Sequence, residues 1–413
     1  MAYQIDDLLG AEQLVIAPAD TTQVEYFTTS LHQLIGDEPI MHKLIESYSR
    51  FHLARLKHQA DTTNHLLQHR KHQIAELIAR RSTEQRTPEW YIQACKVLTA
   101  SEFSNVFGSP LARGKLVMTK ATTPTAEEIQ RRCSQQLTAP SRHMTPFDWG
   151  IRFEPVVKQI YEHKYGVSIQ DLGRLLHPGD PRIAASPDGL IVDAVDKNSP
   201  RIGSLIEIKC PISRELTDKI PEEYYMQMQL QLEVTGLQKC YYVETRFRSA
   251  CSPRNTALEG PAMLEGVLWL VEHFNPDDYD DVPVRRYVYG PVGCPDLEEP
   301  PCHLMGQHDH IIERVPWALM QWNEIIVERS PTWWLSVQSA LQSFWADVEK
   351  AGRGEFVLPE SSRKKKAVSA GLAENTEAVC LIQVPGAATA AVEQQQQQQQ
   401  QQPRQLTIKE MFC

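Results

Sequence analysis

Residues 204–211, Ser-Leu-Ile-Glu-Ile-Lys-Cys-Pro, set an acid and a base two positions apart inside an apolar run. Strand side chains alternate between faces, so Glu207 and Lys209 share one face while Ile206, Ile208 and Cys210 share the other. Two readings stand at this point: an ion pair on a solvated sheet, or an acid and a base doing chemistry. Upstream, the stretch Arg-Ile-Ala-Ala-Ser-Pro-Asp188-Gly189 puts a second carboxylate between two apolar strand patterns. Asp-Gly favours a tight turn, which makes Asp188 a turn former on its own. If the strand after this turn and the next one, which carries Glu207 and Lys209, are antiparallel neighbours, Asp188 is brought near Glu207. A third carboxylate, Glu154, lies in a helical pattern four residues after Gly150, where the missing side chain leaves room for close approach to another segment. Dipole stabilisation of a surface acid near a helix start competes with that reading. Gln227 and Gln231, four apart on a helix opened by Pro221, share a face, with Tyr224 three residues before Gln227.

The elements that carry these residues read as one α/β domain over residues 84–352, with short β-branched strands between helical stretches. Within it, the helix around Glu154 has Phe153, Val156, Val157, Ile160 and Tyr161 on its apolar side. Residues 1–83 form a helical N-terminal extension in which Leu66, Leu67, Ile74, Leu77 and Ile78 recur at helical spacing. Its histidines at 52, 58, 65, 69 and 72 do not share a face and read as solvated. Residues 353–413 shift to basic, alanine-rich and polyglutamine sequence and are expected to be disordered. With 42% hydrophobic residues over 413 the chain has ample material for a core. A net charge of −10 argues against non-specific coating of nucleic acid, while leaving room for a local basic groove. The sequence has neither a run of eighteen apolar residues nor a secretory start, so no membrane association is expected and the nine cysteines are expected to stay reduced inside the cell.

In order along the chain, Gly150-x-x-x-Glu154-Pro155, Ser186-Pro187-Asp188-Gly189, Glu207-Ile208-Lys209-Cys210-Pro211 and Tyr224-x-x-Gln227 resemble the motifs of the YqaJ-type viral recombinase family. This family of PD-(D/E)XK nucleases includes the phage lambda exonuclease. The stretch from Thr87 to Gly108, with Trp90 and Thr99-Ala100-Ser101, looks like the family's opening motif. The resemblance covers roughly residues 86–350. It departs from the pattern at Ala94, five residues before Thr99, where the family usually has arginine; Lys96 or Arg86 is the nearest replacement cation.

The resemblance implies a restriction-endonuclease-like core, with a mixed central sheet flanked by helices. It also implies a metal-dependent DNA nuclease, an exonuclease on duplex ends in recombination, repair or replication. A structure-selective endonuclease and a catalytically silent DNA- or clamp-binding adaptor are the alternatives. By that resemblance Asp188, Glu207 and the main-chain carbonyl of Ile208 hold a magnesium ion and Glu154 helps to hold a second, with manganese as a substitute. Lys209 orients or activates the attacking water, and Gln227 bonds the arrangement from its helix. DNA contacts are expected from Lys96, Ser101, Tyr224 and the basic stretch with Arg113, Lys115, Lys120 and Arg142. A ring-shaped homo-oligomer is the family precedent.

Cys294, Cys302, His303, His308 and His310 cluster, and zinc could use them although their spacing matches no common structural zinc pattern; an iron–sulfur cluster lacks a four-cysteine pattern and is not expected. In the tail, Arg363-Lys364-Lys365-Lys366 fits a nuclear import signal, which places the protein in the nucleus or at a site of viral DNA replication. The C-terminal Gln405, Ile408, Met411 and Phe412 resemble the peptide that docks replication proteins on a sliding clamp, with Met411 in place of the usual first aromatic.

Overall fold

The computed structural model describes residues 29, 39–80, 82–85, 87–133, 144–249, 260–274 and 284–360. The chain divides into two compact units, Met1–Ala79 with Asp196–Gly203, and Arg80–Val195 with Ser204–Cys413. In the first, α1 (Pro39–Ala79) buries Ile74 and Leu77 but leaves Leu66 and Ile78 exposed, so the five apolar residues do not make one buried stripe. Among the described residues no helix is long and apolar enough to cross a membrane.

The second unit contains ten strands among its described residues: β1 (Leu98–Thr99), β2 (Val167–Gln170), β3 (Leu175–Leu176), β4 (Ile183–Ala185), β5 (Gly189–Ala194), β6 (Leu205–Lys209), β7 (Lys239–Ser249), β8 (Leu264–His273), β9 (Val284–Tyr289) and β10 (Asp309–Glu328). Seven form a mixed sheet in the order β2-β5-β6-β7-β10-β8-β9, and β1-β4-β3 form a small second sheet. In the large sheet only β6 and β7 run parallel. A parallel pair needs a crossover, and the helix lying between them in sequence supplies it. Helices α2 (Pro88–Lys96), α3 (Pro110–Ala121), α4 (Ala126–Cys133), α5 (Pro146–Tyr165), α6 (Glu222–Thr235) and α7 (Pro331–Gly352) complete an α/β architecture. The 20-residue β10 pairs with β8 along one stretch and β7 along the next, with register shifts between Ile311 and Glu313 and between Leu319 and Gln321. Such shifts bend a strand, which lets the sheet curl.

Local chemistry explains the two helices that matter most. For α5, Thr145 and Asp148 form a capping box, Pro146 sits in the first turn, and Gly166 at φ +57° ends the helix. Its Phe153, Val156, Val157, Ile160 and Tyr161 are all buried, as their spacing predicts. They meet the odd-numbered side chains of β7: Phe153 stacks on Phe247 at 4.4 Å, and Tyr161 lies 6.3 Å from Tyr241. The even-numbered side chains of β7 face the other way, Tyr242 meeting Tyr224 of α6 at 6.1 Å. Gly236, at φ +74°, ends α6. The sheet therefore has one face under α5 and one under α6.

Two glycines behave differently from the sequence reading. A Cβ on Gly150 would meet nothing within 4 Å, so the space argument for Gly150 and Glu154 fails. Gly189 is the crowded one: a Cβ there would lie 2.3 Å from Ile169 Cγ2 and 3.0 Å from Ile206 Cγ2. Asp188-Gly189 is also no hairpin turn, because β4 before it and β5 after it belong to different sheets. The expected outcome is that Gly189→Ala destabilises the protein by about 1–3 kcal/mol through overpacking. Gly150→Ala, in an open helical position, should stabilise by about 0.4–1 kcal/mol. Urea denaturation of both variants measures the contrast; equal effects would contradict the packing described.

Candidate active site

Glu207 points from β6 toward α6 and has no exposed surface. A buried carboxylate needs donors, and three reach it. Gln227 Nε2 donates to Oε1 at 2.7 Å, Gln231 Nε2 donates to Oε2 at 2.7 Å, and Lys209 Nζ donates to Oε1 at 2.5 Å. The four-residue spacing of the two glutamines puts both amides over one carboxylate. This removes the solvated-pair reading of Glu207 and Lys209, since only Lys209, 23% exposed, reaches solvent. Gln231 was legible only as a companion of Gln227 and gains its role from the distance to Glu207.

Asp188 lies at the end of β5, where the ladder to β6 stops after Gly189↔Ile206. Beyond that point the side chain takes over: Oδ2 accepts the Ile208 N–H at 2.7 Å. Burial pushes the Asp188 carboxyl well above its ordinary range, and the negative charges of Glu207 and Glu154 push it further, against the opposing pull of Lys209. Burial works to lower the Lys209 ammonium, but Glu207 and Asp188 outweigh it and hold this group above its usual value. Lys209 also stands 4.9 Å over the Tyr224 ring. Glu154, on α5, is paired with Lys158 at 2.9 Å, which also reaches Asp171 at 2.8 Å.

Among the described residues, no group of three or more His, Cys, Asp or Glu side chains is arranged to hold a metal ion, and this applies to Glu154, Asp188 and Glu207 as well as to residues 294–310. Glu154 is turned onto Lys158, and both Glu207 oxygens are bonded to protein donors. The donor chemistry nevertheless fits a hard divalent cation. Its oxygens are carboxylates, and the charges of Glu207 and Glu154, which after burial itself raise Asp188, are charges a cation would offset. The residues present therefore suit such an ion.

The expected DNA contacts separate into groups. Lys96, Ser101 and Lys115 are exposed, and Tyr224 lies beside Lys209. Arg113 is instead fixed on α7, bonding Asp347 at 2.7 Å and Ser343 at 3.3 Å. Lys120 is buried, paired with Glu102, and donates to the Ala94 carbonyl at 2.6 Å. Lys120 thus touches the Ala94 backbone, while Lys96 is exposed. Nearby, Arg174 lies 4.1 Å over Trp90 and donates to its carbonyl at 2.6 Å; burial lowers its guanidinium to about 10. Neither residue was legible as a neighbour of α2. Arg86, Arg142, Arg363–Lys366 and the terminal Gln405, Ile408, Met411 and Phe412 lie outside the described residues.

Comparison with known proteins gives a family match and several likenesses. An uncharacterized protein of Acanthamoeba polyphaga mimivirus is 28% identical over 172 residues, 40% of this chain and 29% of that protein, so the matched part spans under a third of that relative's length. The crystal structure of the alkaline exonuclease LHK-Exo from Laribacter hongkongensis is 20% identical, covering 65% of this chain and 95% of that one at a TM-score of 0.36. A phage-related exonuclease of Haemophilus somnus 129PT is 12% identical, covering 62% and 92% at a TM-score of 0.28. Residues 89–238 match the family described as YqaJ-like viral recombinase domain. Glu154, Asp188, Glu207, Lys209, Gln227 and the additional Gln231 all fall within that matched segment.

Proposed function

We propose that the protein is a deoxyribonuclease that hydrolyses phosphodiester bonds, working as an exonuclease on duplex ends in recombination, repair or replication. The observation that carries this reading is the buried Glu207, held by Gln227, Gln231 and Lys209 beside the raised Asp188 in the family-matched segment. Magnesium, with manganese as a substitute, is the proposed cation: two ions served by Asp188, Glu207, the Ile208 carbonyl and Glu154, supplying charge neutralisation at the phosphate and polarisation of water when bound.

The chain's own residues do the following. The two glutamine amides fix the plane of the Glu207 carboxylate, and the Asp188 bond to the Ile208 N–H fixes the other acid on the strand edge. Lys209, held protonated by its carboxylate neighbours, offers positive charge and N–H donors to a phosphate oxygen or to water. It is proposed to orient or activate the attacking water and to counter charge on the phosphate. The exposed Lys96, Ser101 and Lys115, with Tyr224, are proposed to position DNA through its backbone. On sequence grounds, Gln405, Ile408, Met411 and Phe412 are proposed to dock on a sliding clamp, in the nucleus or at a site of viral DNA replication. Self-association into a ring is proposed only from the family precedent.

Purified protein with magnesium should release mononucleotides from end-labelled linear duplex and leave covalently closed circles intact; cutting of the circle would transfer the reading to an endonuclease, and no cleavage of either to a DNA-binding adaptor. Asp188→Asn keeps an acceptor for the Ile208 N–H and Glu207→Gln is accommodated if the Gln231 amide turns its unpartnered Oε1 inward. Both variants should stay folded and lose cleavage, and Lys209→Ala should lower kcat more than metal affinity. Gln231→Leu should weaken magnesium activation by about 10-fold, as loss of a residue orienting a ligand does. Rate against magnesium concentration checks this, and an unchanged curve would remove Gln231 from the site.

A peptide of residues 403–413 should bind the clamp with a Kd on the order of micromolar. Alanine at Ile408 and Phe412 should abolish that binding and leave cleavage of naked DNA unchanged. Calorimetry showing no binding by the intact peptide would end the clamp reading alone.

A further inference from the structure

The parallel register of β6 and β7 aligns Glu207 with Tyr242 and Lys209 with Glu244, so the face that carries the candidate centre continues onto the next strand. Glu244 is a second carboxylate with no exposed surface on that face. The Tyr242 hydroxyl donates to Glu244 Oε1 at 3.0 Å, and the Arg214 guanidinium pairs with the same oxygen. Glu244 Oε2 has no partner. A buried acid with one oxygen left dry is unfavourable by itself, so its place needs another reason than stability.

What it holds supplies one. Arg214 belongs to the connection from β6 to α6, and its side chain is 37% exposed. Its guanidinium lies 5.7 Å from the Tyr224 ring, the same ring that Lys209 Nζ approaches at 4.9 Å. Tyr224 opens the helix that carries Gln227 and Gln231. The same connection is tied down a second time, by Asn323 of β10 donating to the Thr217 carbonyl at 2.8 Å. Asn323 is the register partner of Glu244. Cation–ring contacts are weak singly but orient a flexible ammonium when the ring is fixed.

We propose that Glu244 is a positioning residue: by anchoring Arg214 it fixes the β6–α6 connection and the Tyr224 ring, and through that ring the direction of the Lys209 ammonium. The role rests on the nuclease reading for its effect on rate, but not for its effect on Lys209 itself. Glu244→Gln keeps the shape and removes the charge that holds Arg214. Arg214→Met breaks the same link from the solvent side but strands the Glu244 charge, so the double variant, which leaves no buried charge, reports if either single substitution prevents folding.

In the full-length protein, both variants should lower kcat about 10-fold with KM within about twofold of wild type, and the double variant should be no slower than either single. Both should also raise, several-fold, the rate at which an amine acylating reagent modifies Lys209, read by peptide mass spectrometry. Lys158, held by Glu154 and Asp171, is the internal control and should not change. Unchanged kcat, or unchanged Lys209 labelling, in a folded variant overturns the proposal. Should wild-type protein cleave no DNA, the nuclease reading falls and the labelling comparison alone decides the role of Glu244.

Discussion

A carboxylate with no exposed surface must find all its donors inside the protein, and Glu207 finds three. That requirement organises the domain around it. Two donors come from α6, which must cross over the sheet for β6 and β7 to run parallel, so the large sheet's parallel pairing and the solvation of its central acid are satisfied by the same helix. The third donor is Lys209 on the same strand, and it ties the acid to the open side of the site. Three donors on one acid leave the charge of Asp188 as the less compensated one, which is why burial and repulsion raise Asp188.

Asp188 shows how a topological switch can become a functional position. The chain leaves the small sheet at Ala185 and joins the large one at Gly189, and the three residues between belong to neither. There the side chain substitutes for a missing ladder partner by accepting the Ile208 N–H. Gly189 is needed at that junction for clearance against Ile169 and Ile206 rather than for turn geometry.

The alternation of Glu207 and Lys209 against Ile206, Ile208 and Cys210 was legible because a strand has a period of two, and the apolar side of α5 because a helix has a period of 3.6. Those periods locate faces but not neighbours. Gln231, Glu244, Lys120 and Arg174 matter through contacts across 24 to 84 residues of sequence, which no local pattern encodes. Net basic character in the stretch around Arg113 hides pairing for the same reason: Arg113 and Lys120 meet Asp347 and Glu102, acids supplied by other segments. The expected cage of three carboxylates is likewise a statement about side-chain rotamers, and Glu154 spends its charge on Lys158 one turn along its own helix.

The position of β10 in the sheet has a consequence for how the protein is made. β6, α6 and β7 are contiguous in sequence, yet among the described residues the free edge of β7 is covered by residues 317–328, which leave the ribosome about seventy residues later. Until then Lys239–Ser249 presents eleven residues of unpaired backbone, rich in aromatic and β-branched side chains, to whatever is nearby. The strand that carries Tyr242 and Glu244 is therefore an exposed template for misassociation in the nascent chain, and the long strand that closes it is also its protector.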